Sequence, residues 1–418
     1  MTGSNTSEGG LVAIRLPVWW TFGGLLGGLL AGSLLAGSSL ESAVLAVSAP
    51  VGSLWLRALQ MTIIPLVAAL LVMGIAQMAQ AARAGRTARI MLGWVFGVLV
   101  FSGLISAILM PGLLAIFPIP QAASAMLDLQ GGQAQEVPEI GAFLTSLIAP
   151  NLVAAAAETA MLPLTIFFAL FAVAVSRLPA GQRETLLNFF RALGNAMLTI
   201  IGWVLWIAPV GVFALALGVA VRAGGDGAFA TLIHYILTVS AMGAMVLVAA
   251  YLLAVVAGRI GPVRFIAAML PAQAVAVSTQ SSLASLPAML DSARRLKLRE
   301  ETADFVLPLA VAIFRATSPA MNMAVAIYVA TLAGIELTPF VLIAGIGVAL
   351  IISVGSVSLP GSISFVVSIG PIALAMGVPV EPLALLVAVE MLPDIMRTLA
   401  NVTMNVAVTS ATDRATRD

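Results

Sequence analysis

The residues best equipped for chemistry lie near the end of the chain. Between Glu381 and Ser410, Asp394, Arg397, Thr398, Asn401 and Asn405 recur at i, i+3, i+4, i+7 and i+11. On a helix that spacing gathers them on one face while Leu, Val, Ile and Met cover the rest. Ionisable groups in hydrocarbon cost several kcal/mol unless they are paired or face water, so a face with an acid, a base and two amides is expected to line a polar site. The chemistry on offer is recognition: a carboxylate for an ammonium and a guanidinium for a carboxylate. This suits a small zwitterionic, acidic solute. The alternative is that Asp394 and Arg397 only neutralise each other across one turn.

The surroundings of this stripe read as membrane. Of 418 residues, 61% are hydrophobic and 9% charged, and the mean hydropathy is +1.11. These values describe a polytopic α-helical membrane protein. A net charge of +1 offers nothing to nucleic acid, and a chain without cysteine has no disulfide, thiolate metal site or thiol nucleophile. With a single histidine and no cluster of metal ligands, little chemistry beyond binding is available, so the chain is not expected to be an enzyme or to carry a cofactor or metal. His234 sits in an apolar run and reads as a helix-packing residue. The polar N-terminus lacks a basic region followed by a small-residue cleavage site, so the first helix is expected to be an uncleaved anchor.

Six apolar segments are long enough to span, which takes about 20 residues: Leu16–Gly37, Val51–Gln80, Ile90–Ile116, Phe143–Val175, Leu187–Val221 and Leu232–Ala257. Two later stretches, Phe265–Ser292 and Phe340–Val378, are interrupted by STQSSLASLP (Ser278–Pro287) and SVGSVSLPGSIS (Ser353–Ser364). Each is followed by a long apolar helix, Phe305–Leu332 and Leu383–Ser410, which makes an internal repeat of broken hairpin plus helix. Freed backbone is tolerated at membrane depth only where protein or an aqueous cavity satisfies it, and paired broken segments point to a transporter's binding site. The other reading is two flexible loops between ordinary spans.

Basic residues set the orientation. Arg83, Arg86 and Arg89, then Arg177, Arg183 and Arg191, Arg259 and Arg264, and Arg294, Arg295, Lys297 and Arg299 fall on one side if both interrupted stretches are re-entrant. The positive-inside rule then puts both termini in the cytoplasm.

Broken hairpin, helix, broken hairpin and polar helix, in that order, resemble the glutamate-transporter family, the dicarboxylate/amino acid:cation symporters. The likeness rests on DIMRTLANVT (Asp394–Thr403), SVGSVSLPG (Ser353–Gly361), TQSSLASLP (Thr279–Pro287), LPLTIFF (Leu162–Phe168) and APVGVFAL (Ala208–Leu215), and it covers nearly the whole chain. The resemblance implies eight transmembrane helices plus two re-entrant helical hairpins, internal inverted repeats, an elevator fold and a homotrimer in the cytoplasmic membrane. It further implies scaffold segments at 11–82 and 142–222 and transport-domain segments at 88–116 and 230–410. By the same resemblance Asp394 holds a substrate ammonium and Arg397 its side-chain carboxylate, with Thr398 and Asn401 beside them. Ser281 and Ser282 bind from the first hairpin's tip, and Ser356, Leu359 and Gly361 fall in the gating tip of the second.

Departures from the family pattern are as informative. The sodium-binding NMDGT of the family is FRATS here, with Phe314, Arg315, Ala316 and Ser318 replacing its Asn, Met, Asp and Thr. Asn405 stands where another sodium-binding aspartate is expected, and the third helix's Thr-Ser pair falls on Leu99 and Val100. Sodium needs oxygen ligands, so these sites look dismantled. The first hairpin's arginine is Gln280, while Arg315 brings a guanidinium into the neighbouring helix as a built-in counter-ion. The alternative is that Arg315 points to an aqueous vestibule.

The expected function is secondary active transport of aspartate or glutamate, proton-coupled and not obligately sodium-coupled. Glu390 and Asp394 are the candidate proton carriers. The alternatives are a sodium-independent exchanger, a carrier retaining one sodium site, a C4-dicarboxylate carrier or, in another class, an anion channel or solute sensor.

Overall fold

A computed structural model describes residues 18–83, 85–120, 123, 145, 147–223, 225–355 and 361–417. No strand occurs among them, and the regular structure is helical. The first half comprises α1 (Val18–Leu35), α2 (Glu41–Gln60), α3 (Ile63–Ala81), α4 (Arg86–Ile116), α5 (Leu152–Ala157), α6 (Met161–Ser176), α7 (Ala180–Trp206), α8 (Ala208–Ala223) and α9 (Gly225–Val256). The second comprises α10 (Pro262–Thr279), α11 (Leu286–Arg295), α12 (Glu300–Ile313), α13 (Thr317–Leu332), α14 (Pro339–Gly355), α15 (Gly361–Ala375), α16 (Glu381–Leu386) and α17 (Met391–Ala415). Among the described residues, Glu41–Ala81, Arg86–Ile116, Ala180–Trp206, Phe229–Val256, Pro262–Thr279 and Glu300–Leu332 are long and apolar enough to cross a bilayer. The chain is therefore an integral membrane protein.

Several spans expected to be continuous are interrupted. Val51–Gln80 breaks at Met61 and Thr62, and Phe143–Val175 breaks between α5 and α6. Leu187–Val221 divides at Ile207, because Pro209 has no N–H to return to the preceding turn. Phe305–Leu332 is broken at Phe314, whose backbone is extended (φ −126°, ψ 122°). Leu383–Ser410 is broken by the turn 387–390. In these last two cases Pro319 and Pro393 lie in the first turn of the following helix, where a missing N–H costs nothing. Apolar periodicity sees only the side chains and cannot register such breaks.

The two interrupted stretches do fold as helix pairs. α10 packs against α11, and Arg264 near the start of α10 donates through Nη2 to the carbonyl of Leu296 just past α11 at 2.8 Å, so the first pair doubles back. α14 likewise packs on α15.

Two helices form the centre. Every residue from Ala316 to Ala330 and from Ala400 to Asp413 is buried. α17 packs against α4, α9, α10, α12 and α13, and α13 packs in turn against α4, α9, α14 and α15. At its far end α17 is fastened by Asp413, which accepts from Arg299 Nε at 2.7 Å and from Arg417 Nη2 at 2.7 Å.

Elsewhere the packing depends on close backbone approach, since lipid gives helices little hydrophobic reason to associate. Along α1, Gly24, Gly28 and Gly32 face Pro209, Phe213 and Leu217 of α8. A Cβ on Gly28 would lie 2.5 Å from the Phe213 carbonyl oxygen, whereas one on Gly23 would meet nothing within 4 Å. Gly28→Ala should therefore destabilise the detergent-solubilised protein by about 1–3 kcal/mol, and Gly23→Ala should not. Equal thermal midpoints for the two variants would contradict this helix contact.

Candidate functional site

The break between α12 and α13 frees backbone groups in the interior, and two other helices supply their partners. From α4, Ser102 Oγ donates to the Ala316 carbonyl at 2.6 Å and accepts from the Ala320 N–H at 3.1 Å. From α17, Asn401 Oδ1 accepts from the Thr317 N–H at 2.9 Å and from Thr317 Oγ1 at 3.0 Å. Ser102 of α4 thus hydrogen-bonds the break, within one turn of Leu99 and Val100, which stand where the resemblance expects the Thr-Ser pair.

One turn along α17 from Asn401 lies a buried ionic cluster. Arg397 donates through Nη2 to Glu390 Oε1 at 2.5 Å and through Nη1 to Asn322 Oδ1 at 2.8 Å, while its Nε lies 3.3 Å from Asp394 Oδ1. Tyr235 on α9 donates its hydroxyl to the second Glu390 oxygen, Oε2, at 3.3 Å. Asn322 is itself anchored, giving an N–H of its amide to Ser318 Oγ at 3.0 Å. Side-chain exposure is 6% for Arg397, 1% for Glu390 and 9% for Asp394. The turn before α17 puts Glu390 seven residues ahead of Arg397, two helical turns away on the same side. Arg315, in the break, is partly buried and interacts electrostatically with Asp394 and Arg397. Two acids and two guanidiniums therefore share this interior. Removing one member of such a buried pair costs about 3–5 kcal/mol, because its partner is left charged and alone.

Of the expected site residues, Asp394, Arg397, Thr398, Asn401 and Asn405 are all buried on α17, and Glu390 joins them. The single-turn neutralisation of Asp394 by Arg397 is present, but the shorter contact is the one to Glu390. Ser281 and Ser282 lie in the turn between α10 and α11, where Ser281 Oγ accepts from the Ala284 N–H at 3.2 Å. Gln280, preceding them, is left-handed (φ 51°) and ends α10. Gly361 opens α15, whereas Ser356 and Leu359 lie outside the described residues. Phe314 is buried, Ala316 presents its carbonyl to Ser102, and Ser318 anchors Asn322. Among the described residues, neither polar atom of the Asn405 amide has a hydrogen-bond partner.

Tyr235, Asn322 and Ser102 were not foreseen. Each is a polar side chain inside a long apolar run, and the rule that singled out α17 could have found them. His234 touches Tyr328 Oη at 3.2 Å and the Phe117 carbonyl at 3.0 Å, a packing role that joins the end of α4 to α9 and α13.

Comparison with known proteins places this arrangement in a class. The model of the sodium:dicarboxylate symporter family matches residues 18–415, and the chain belongs to that family. Relatives include the proton/glutamate-aspartate symporter of Escherichia coli (strain K12), 29% identical over 88% of this chain and 85% of the relative. The proton/sodium-glutamate symport protein of Bacillus subtilis (strain 168) is 28% identical over 85% of this chain and 83% of its own. The neutral amino acid transporter B(0) of Homo sapiens is 28% identical over 84% of this chain and 70% of its own.

Ser102→Ala removes a hydroxyl that serves two buried backbone groups. The variant should lose about 1–3 kcal/mol of stability, read as a lowered midpoint of thermal unfolding in detergent. An unshifted midpoint would show that the break does not depend on Ser102.

Proposed function

We propose that this protein is a proton-coupled symporter of acidic amino acids, working without obligate sodium. The observation that carries the reading is an acid and a guanidinium three residues apart, Asp394 and Arg397, both buried on the helix around which the bundle is packed. Relatives named as glutamate and aspartate symporters support the same substrate class. Asp394 receives the ammonium and Arg397 the side-chain carboxylate, for which a planar fork is suited. Thr398 and Asn401 flank them. Ser281 and Ser282 contribute from the first hairpin, and the second hairpin's tip, with Ser356 and Gly361, closes over the substrate.

Arg315 serves as a fixed positive charge where other members of the family hold a cation. Support comes from its electrostatic interaction with Asp394, from the apolar Phe314 beside it, and from Ser102, which already hydrogen-bonds the Ala316 carbonyl. In this reading the chain has eight transmembrane helices and two re-entrant hairpins. Segments 11–82 and 142–222 form the scaffold of a homotrimer, and 88–116 with 230–410 move as the elevator. The protein resides in the cytoplasmic membrane with both termini inside, which the distribution of arginines between loops supports.

Aspartate binding to the purified protein should be the same within about twofold in sodium and in choline buffer, since an ion that does not distinguish loaded from unloaded states cannot shift affinity. A steep sodium dependence would refute this reading of Arg315. Asp394→Asn should weaken aspartate far more than succinate, which brings no ammonium. The contrast expected from one charge-assisted contact of about 1.5–3 kcal/mol is roughly 10- to 150-fold. Equal losses for both ligands would make Asp394 a structural acid.

A further inference from the structure

Each nitrogen of the Arg397 guanidinium has a partner. Nη2 is on Glu390, Nη1 on Asn322 and Nε on Asp394. A guanidinium carries five N–H groups, and a substrate carboxylate that takes a forked contact including Nη2 competes with the partner held there. Asn322 is neutral and tied to Ser318. Asp394 makes the longest of the three contacts and is needed for the ammonium. Glu390 is a carboxylate, the same chemical group as the incoming ligand, and it sits in the turn between α16 and α17.

We infer that Glu390 is an internal ligand of Arg397 which the substrate's side-chain carboxylate displaces, and that the displaced carboxyl crosses the membrane carrying one proton. This rests on the proposed function and deepens it by choosing between Glu390 and Asp394 as the proton carrier and by adding Tyr235 to the machinery.

Charge balance drives the step. Around Glu390 lie Arg397 and Asp394 from its own segment, Tyr235 from α9 and Tyr328 from α13 beside Tyr235; Arg315, in the break, interacts with Asp394 and Arg397, and His234 contacts Tyr328. With the four strong groups ionised the interior is neutral. An acidic amino acid brings one net negative charge into it, and a carboxylate stripped of its guanidinium in an interior of low dielectric takes up a proton. As Glu390 Oε1 leaves Nη2, a proton from the loading side forms an O–H on that carboxyl, and the substrate oxygen takes the freed N–H. On the far side the substrate leaves, Glu390 returns to Nη2 and its proton goes to solution.

Tyr235 is the positioning residue. Its hydroxyl gives a hydrogen bond to Oε2 of the ionised carboxylate, and its oxygen can accept one from the protonated form, so the displaced group keeps a partner in both states. A phenylalanine there would remove a donor that favours the charged form and would move proton uptake to higher pH.

The test uses the full chain in proteoliposomes with labelled aspartate and sodium-free buffers, comparing wild type, Glu390→Gln and Tyr235→Phe. Wild type should accumulate aspartate when the lumen is alkaline, and its affinity should fall about tenfold per pH unit above the midpoint, the slope of one linked proton. Glu390→Gln cannot carry the proton or neutralise Arg397 on the return step. It should lose gradient-driven accumulation while aspartate–aspartate exchange continues with its pH dependence flattened. Tyr235→Phe should move the midpoint of the affinity profile upward. Accumulation by Glu390→Gln equal to that of wild type would overturn the inference. If Glu390→Gln does not purify as a folded protein, Tyr235→Phe decides, and an unmoved midpoint overturns it. Failure of wild type to bind or exchange aspartate at any pH would instead overturn the proposed function.

Discussion

A guanidinium held away from water between two carboxylates is the constraint on which the rest of this molecule depends. Arg397 cannot be placed at membrane depth alone, and the chain answers with Glu390 at 2.5 Å, Asp394 at 3.3 Å and the Asn322 oxygen at 2.8 Å. These partners arrive from a turn, from α17 itself and from α13, so α13 and α17 must lie together and the chain must bend at 387–390. Burying such a cluster contributes little net stability compared with apolar packing of the same volume. Its retention in the interior is better explained by what it can bind than by what it holds together.

The broken helices follow from the same logic. A continuous helix would satisfy its own backbone and leave Ser102 and Asn401 with no task. With α12 and α13 interrupted, the Ala316 carbonyl and the N–H groups of Thr317 and Ala320 need partners, and side chains from α4 and α17 provide them at 2.6–3.1 Å. The break thereby ties three helices into one unit and lets Arg315 enter the interior from a non-helical position. Side chains that in an ordinary span would be costly polar intrusions become the means by which irregular backbone is tolerated.

The polar face of α17 was legible because helical spacing carries side-chain direction directly: acid, base and amides at i, i+3 and i+7 had one geometric meaning, and all are buried together. The doubled-back first hairpin was legible from Ser and Pro in an apolar run. The breaks at 314–316 and 387–390 were not, since each carries a single charged residue, Arg315 or Glu390, among apolar neighbours, and Pro319 and Pro393 fall only in the following turn. The pairing of Glu390 with Arg397 was hidden for a different reason. Residues seven apart on a helix share a face but lie about 10.5 Å apart along it, so contact depends on how far the arginine side chain extends along that face, which spacing does not express. Tyr235 and Asn322 lie 155 and 75 residues from their partners, a separation that no local pattern expresses.

The cation and the substrate pose one electrostatic problem with two solutions. A carrier of acidic amino acids must bring net negative charge into a low-dielectric interior and take it out again. A bound metal ion solves this reversibly, because the charge arrives and leaves with the substrate. A fixed guanidinium, the role proposed for Arg315, solves it permanently, which equalises the charge of one state at the expense of the other. A permanent charge that balances Asp394 therefore cannot by itself drive accumulation, since it crosses the membrane on both the loaded and the returning steps and does no net work. Something mobile must still distinguish the two steps. In an interior whose backbone oxygen at Ala316 is taken by Ser102 and whose Asn405 offers an amide, the inferred displacement of Glu390 from Arg397 would supply that change of charge at the moment of loading.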